Sequence, residues 1–179
     1  MRRLILGLSM LFLVTPVIAD DSAPAVAIKN ARVTTEGILT GGQPSVSELS
    51  ALKAAGYNTI INLRPEAEVK RAFTNTQDAS LHYDERAIAT KLGIKYISLP
   101  IGSAEDLTAD TARLLDQILQ NLGDGVVLHC ASGNRVGALM ALRAFHIQNQ
   151  SPEQSLLIGR NAGLTKLEPV VIELLSKGR

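Results

Sequence analysis

Three short apolar runs, Asn58–Leu63, Ile94–Leu99 and Val126–His129, alternate with stretches of helical periodicity, and that alternation constrains the fold most. Runs this short, aliphatic and bounded by Gly or Pro suit strands buried on both faces. Helices between them act as crossovers, so the strands they connect run parallel. The expected fold class is α/β: a small, mostly parallel sheet flanked by helices on both faces.

The helical stretches carry their own punctuation. Ser45 and Glu48 form a capping box ahead of the stripe Leu49, Leu52, Ala55, and Gly56 closes that helix. A helix from about Tyr83 to Leu92 stops at Gly93, and Thr108–Leu122 places Leu115, Ile118, Leu119 and Leu122 on one face. Val136–Ile147 is apolar nearly all round apart from Arg143 and His146, which marks an interior helix. Ser151-Pro152 with Gln154 opens another, and Leu167–Lys177 closes the chain with Pro169 in its first turn. Ala31–Thr40 holds two β-like pieces around Gly37, while Glu66–Ser80 reads as polar and irregular.

The first 19 residues read as an address. Arg2 and Arg3 precede an apolar run, Leu4–Val14, and Val17-Ile18-Ala19 offers a cleavage site, the pattern of a secretory signal peptide. The expectation is an exported, periplasmic protein with a lead-in over 20–30 and one domain over 31–179. An uncleaved anchor is the alternative, although the run is shorter than a membrane-spanning helix requires. Without Arg2 and Arg3, 16 basic residues face 17 acidic ones, which gives no footprint for nucleic acid or an anionic membrane. The chain has a single cysteine, Cys130, so no internal disulfide explains it. It is either a small buried hydrophobe or a thiol kept for chemistry.

Its surroundings favour chemistry. Ligands of open parallel sheets bind beyond the carboxyl ends of the strands, where Arg64-Pro65, Pro100–Asp106 and Cys130–Arg135 fall. In His129-Cys130-Ala131-Ser132-Gly133-Asn134-Arg135 a strand passes through a tight loop into a helix. Gly133 permits backbone angles that turn the amides of Ala131, Ser132, Gly133 and Asn134 inward as an anion nest. The helix adds unsatisfied N–H groups and its positive dipole end, and Arg135 can hold two oxygens of an oxyanion at once. Such settings lower a cysteine pKa from about 8.5 to roughly 3.5–7.5. The expectation is a thiolate facing an anion cup.

These residues resemble the cysteine-dependent protein tyrosine phosphatases. The closer resemblance is to the bacterial dual-specificity-phosphatase-like family, some members of which are fused to metallo-β-lactamase-like hydrolases. Gly41-Gly42-Gln43-Pro44, Ile60-Ile61-Asn62-Leu63-Arg64, Tyr96-Ile97-Ser98-Leu99-Pro100 and His129–Arg135 carry it, in order, over roughly Ala31–Gly163. The resemblance implies that Cys130 attacks phosphorus, that Arg135 and the loop amides hold the equatorial oxygens, and that His129 braces the loop from behind. It implies a phosphorylated protein or small-molecule phosphate as substrate, and no metal or organic cofactor.

The chain departs from the family pattern in three places. Four residues, not five, separate Cys130 from Arg135. Val136 follows the arginine where Ser or Thr is usual. The family's general-acid aspartate aligns near Gly102 or Ser103, which leaves Glu105 and Asp106 as the nearest acids, with Asp106 the candidate. Asp106 could instead serve the start of the Thr108 helix. Arg64 either reaches substrate or ends its strand in solvent. The short loop also resembles active loops of rhodanese-type sulfurtransferases, in which Cys130 would carry a persulfide. A binding module without turnover is the third reading. His82 and His146 lack metal-ligand spacing.

Overall fold

The structure, a computed structural model, describes residues 28–69 and 83–178. The signal segment 1–19, the first part of the lead-in, His82 and most of the 66–80 stretch lie outside those residues. Among the described residues a five-stranded sheet has the order β1 (Arg32–Val33), β2 (Leu39–Gly41), β5 (Val126–His129), β3 (Thr59–Asn62), β4 (Lys95–Ser98). Only β1 runs antiparallel to its neighbour; β2, β5, β3 and β4 are mutually parallel. The α/β, mostly parallel architecture expected from the sequence is the one observed.

Helices cover both faces. On one face α1 (Val46–Ala54) and α2 (Glu85–Lys91) enclose Leu39, Leu49, Leu52, Ile60, Ala89 and Val127. On the other, α3 (Ala109–Gln120), α4 (Asn134–His146), α5 (Pro152–Asn161) and α6 (Glu168–Ser176) pack over Ile61, Leu63, Val126 and Leu128. Successive strand residues point to opposite faces, which is why Ile60 and Ile61 belong to different clusters. The Ser45–Glu48 capping box forms as expected, Thr108 caps α3 through the Thr111 amide, and Pro169 sits in the first turn of α6.

One segment departs from its sequence reading. Directly after Pro65 the backbone is helical over 66–69, although this stretch reads as irregular. Pro is favoured at a helix start because its ring presets φ and its missing N–H would go unpaired there anyway. The turn matters because it carries Glu68.

Strand register positions the site. Gly41 and Asn62 both pair with His129, and Asn62 pairs with Ser98 on its other side, so the carboxyl ends of four parallel strands finish level. The Gly-Gln-Pro, Asn-Leu-Arg, Ser-Leu-Pro and His-Cys segments therefore leave the sheet along one edge. Gly42 must be a glycine here: a Cβ would stand 2.9 Å from the Ala131 carbonyl oxygen. That close approach lets the first segment back the cysteine loop, with an isolated bridge between Gly42 and Ser132.

Candidate active site

Cys130 follows the last residue of the central strand β5, and its amide continues the ladder by donating to the Gly41 carbonyl at 3.2 Å. The chain then reverses into α4 through Gly133, whose φ of 91° lies in the left-handed region. This reversal aims the Gly133 N–H at the cysteine Sγ, 3.2 Å away. Cys130 is 1% exposed and packs with Leu128, Val136 and Leu139. The sulfur is thus buried in the larger core yet meets an amide donor on its loop side. Gly133 has no side chain with which to cap α4, and no side chain caps the first amides of the helix.

Arg135, in the first turn of α4, closes the far side. Its Nη1 and Nη2 donate to the two Glu68 carboxylate oxygens at 2.7 and 2.8 Å, and Nη1 also donates to the Ile101 carbonyl at 2.9 Å. Burial works against its charge, but the Glu68 carboxylate and the Cys130 sulfur outweigh that and hold the guanidinium above its ordinary range. Burial likewise opposes the charge of Glu68, and hydrogen bonds from Arg135 and Arg64 overcome it, so its carboxyl titrates below the usual range.

Arg64 does not end its strand in solvent. It is 9% exposed, with Nε on Glu68 at 3.0 Å and Nη1 on Gln43 Oε1 at 2.6 Å. Gln43 donates in turn to the Tyr83 hydroxyl, which donates to the Pro44 carbonyl. Arg64 therefore supports Glu68, and Glu68 supports Arg135.

His129 lies behind Cys130, fully buried, with Nδ1 3.2 Å from the Cys130 carbonyl oxygen and Nε2 2.9 Å from Glu85 Oε1. Among the remaining candidates, Asn134 turns its side chain away: its Oδ1 accepts from the Thr165 amide and hydroxyl and from the Leu167 amide. Ser132 is exposed and its carbonyl accepts from Asn30 Nδ2, while Ala131 is half-buried beside Gly42. Asp106 caps the short 3₁₀ turn Ala104–Asp106, its Oδ2 accepting from the Gly102 and Ser103 amides at 2.7 and 3.0 Å. The start of the next helix belongs to Thr108 instead. Glu68 and Glu85 are the two site residues that sequence reasoning missed. Among the described residues no three His, Cys, Asp or Glu side chains are placed to hold a metal ion, and no helix is long and apolar enough to cross a membrane.

Residues 30–146 match the family model of the phosphatase-like domain of beta-lactamase hydrolase-like proteins. The chain belongs to that family. The beta-lactamase hydrolase-like protein of Agrobacterium fabrum is 30% identical over 107 residues, which span 60% of this chain and 23% of that protein. The chain thus matches about a quarter of the length of that relative. Among solved structures, Tk-PTP in its active form superposes with a TM-score of 0.57 at 18% identity, covering 87% of this chain and 99% of that one. Kinase associated phosphatase, solved with serine in place of its catalytic-site cysteine, gives 0.56 at 17% identity, covering 78% and 86%. The phosphatase-like domain accordingly has the tyrosine-phosphatase fold. Helices α5 and α6 follow the matched range and pack onto α4, where Gly137 and Gly159 allow close approach: a Cβ on Gly137 would lie 2.0 Å from the Leu164 amide nitrogen.

Proposed function

We propose that this phosphatase-like domain hydrolyses phosphate monoesters through a covalent cysteinyl-phosphate on Cys130. The observation that carries the reading is the Cys130 sulfur at the end of the central strand, facing the Gly133 N–H, with Arg135 in the first turn of the helix above it. Sγ attacks phosphorus as the ester P–O bond breaks, and the departing oxygen takes a proton. Water then attacks the phosphorus, releasing inorganic phosphate and restoring the thiolate. The loop amides and Arg135 stabilise charge on the three non-bridging oxygens. Kinase associated phosphatase keeps a catalytic-site cysteine on the same fold, which supports this assignment. Asp106 lies on the loop that Arg135 grips through Ile101, but its Oδ2 accepts the Gly102 and Ser103 amides, so it can deliver the proton only if that turn opens. Export to the periplasm belongs to the same reading, on the strength of the Arg2–Ala19 pattern.

One feature favours a second chemistry: the loop holds four residues between Cys130 and Arg135, which suits the transfer of sulfane sulfur. The deciding experiment assays the purified protein with an aryl phosphate and, separately, with thiosulfate plus cyanide. Phosphate release that disappears in Cys130→Ser is the expected result. Thiocyanate formation without phosphate release would replace hydrolysis by sulfur transfer.

A further inference from the structure

Glu85 is a carboxylate 4% exposed, the first residue of α2, with its Oε1 directed at a histidine that is itself fully buried. Leaving such a charge unpaired in the interior would cost several kcal/mol. Its other oxygen is provided for: Oε2 accepts from Asn62 Nδ2 at 2.8 Å and from the Tyr96 hydroxyl at 3.2 Å. Asn62 Nδ2 also reaches the Tyr96 oxygen at 2.7 Å, and Asn62 Oδ1 accepts the Arg64 amide at 2.7 Å. Neither Oε1 nor His129 Nε2 makes a well-formed hydrogen bond among the described residues, while Gln43 also stands close enough to favour the Glu85 charge. Oε1 and Nε2 lie 2.9 Å apart but off the line of a good hydrogen bond.

The ring has a second constraint. Its Nδ1 lies 3.2 Å from the Cys130 carbonyl oxygen, which can only accept. Both ring nitrogens therefore face acceptors, whereas a neutral imidazole carries one N–H. We infer that Glu85 is a positioning residue for Cys130: its carboxylate keeps His129 doubly protonated and aimed at the Cys130 carbonyl. The imidazolium then polarises the peptide joining Cys130 to Ala131 and makes the Ala131 N–H a stronger donor to the cup. The groups facing Glu85 are His129 from β5, Asn62 from β3 and Tyr96 from β4. Tyr83 stands nearby, and Arg86 lies over the Tyr96 ring at 4.8 Å. Burial opposes the charge of Glu85, but His129 foremost draws its carboxyl below the ordinary range. Burial and the Glu85 charge keep both tyrosines protonated, and hence able to donate.

This inference rests on the phosphatase reading for its catalytic consequence, but its test does not. Rates of Cys130 alkylation by iodoacetamide are measured against pH in the wild type, Glu85→Gln, His129→Asn and the double variant, with thermal melts to establish folding. If Glu85 acts through His129, Glu85→Gln raises the alkylation midpoint by about one pH unit, and has no further effect once His129 is Asn. A carboxylate acting on the thiol by simple repulsion gives the opposite sign, so a lowered or unmoved midpoint in a folded Glu85→Gln protein overturns the proposal. In the wild type, ring ¹⁵N NMR should show both His129 nitrogens protonated near neutral pH; a bare nitrogen also overturns it, even if every variant misfolds. Failure to hydrolyse any aryl phosphate would remove the phosphatase reading while leaving both measurements decisive here.

Discussion

Helix α4 carries two arginines, the half-buried Arg135 and the buried Arg143, about 12 Å apart along its axis, and each is clamped in nearly the same way. Arg135 holds both oxygens of Glu68 and the Ile101 carbonyl. Arg143 holds both oxygens of Glu36 at 2.8 and 2.9 Å, with Nε on Asp116 at 2.8 Å. Burial opposes the charge of both, and the carboxylates prevail in both. What differs is the third party. Cys130 adds to the stabilisation of Arg135, whereas Arg143 sits among groups that fasten α3 and the β1–β2 turn to α4. An arginine–carboxylate clamp is thus not in itself a functional signature. On the proposed function it becomes one at Arg135, which stands at a helix start close to Cys130.

The comparison is broken or upheld most sharply by exchanging each arginine in turn. Arg135→Lys should keep a charge but lose the two-pronged geometry, cutting kcat/KM on the order of 10²–10³-fold with little change in melting temperature. Arg143→Met should do the reverse. It leaves Asp116, 6% exposed, without its cation, and should destabilise the protein by about 3–5 kcal/mol while activity per folded molecule survives. Steady-state kinetics alongside urea unfolding reads both quantities. If Arg143→Met abolished turnover in folded protein, the division between the two clamps would fail.

Much of this was legible in the sequence, and the remainder was hidden for definite reasons. Val126–His129 and the cap at Ser45 fall where pattern and punctuation put them, because they depend on local period and local hydrogen bonds. Cys130, Gly133 and Arg135 could be proposed together because one loop encodes all three. Glu68 was lost inside a segment whose polarity masked a helical turn, although Pro65 followed by acids was a start signal. Glu85 was invisible for a different reason. An acid in a helix's first turn is ordinary, and only the packing of α2 against β3, β4 and β5 reveals that it is buried beside His129. The burial of Arg64 was hidden as well, since its partners Gln43 and Glu68 arrive from separate elements.

Acid unfolding sharpens the contrast on a smaller scale. Burial raises and the arginines more strongly lower the carboxyls of Glu36 and Glu68, from an ordinary value of 4.5. A group depressed in the folded state contributes its full stabilisation above the unfolded value, near pH 4.5, and loses it as pH falls through the folded one. Urea unfolding between pH 6 and pH 3 should therefore weaken steeply below about pH 4.5. Glu36→Gln and Glu68→Gln should each flatten that slope by at most about one proton, while only Glu68→Gln should impair kcat/KM. Equal kinetic losses in the two variants would mean that the second clamp also serves the cup.

The smallest effect concerns Asp106, which shares its loop with the Ile101 carbonyl that Arg135 grips. Its Oδ2 accepts the Gly102 and Ser103 amides, an acceptor's task that asparagine can take over. A residue engaged in this way should be replaceable at a cost of about 1 kcal/mol in stability and less than about tenfold in kcat. The measurement needs two aryl phosphates, one with a good leaving group and one with a poor one, because only the poor one depends on a proton donor. A loss in Asp106→Asn confined to the poor leaving group and well beyond tenfold would show that the turn opens during catalysis and that Asp106 delivers the proton. Equal, small losses on both would return Asp106 to the turn it caps and send the search for the acid elsewhere along the strand ends.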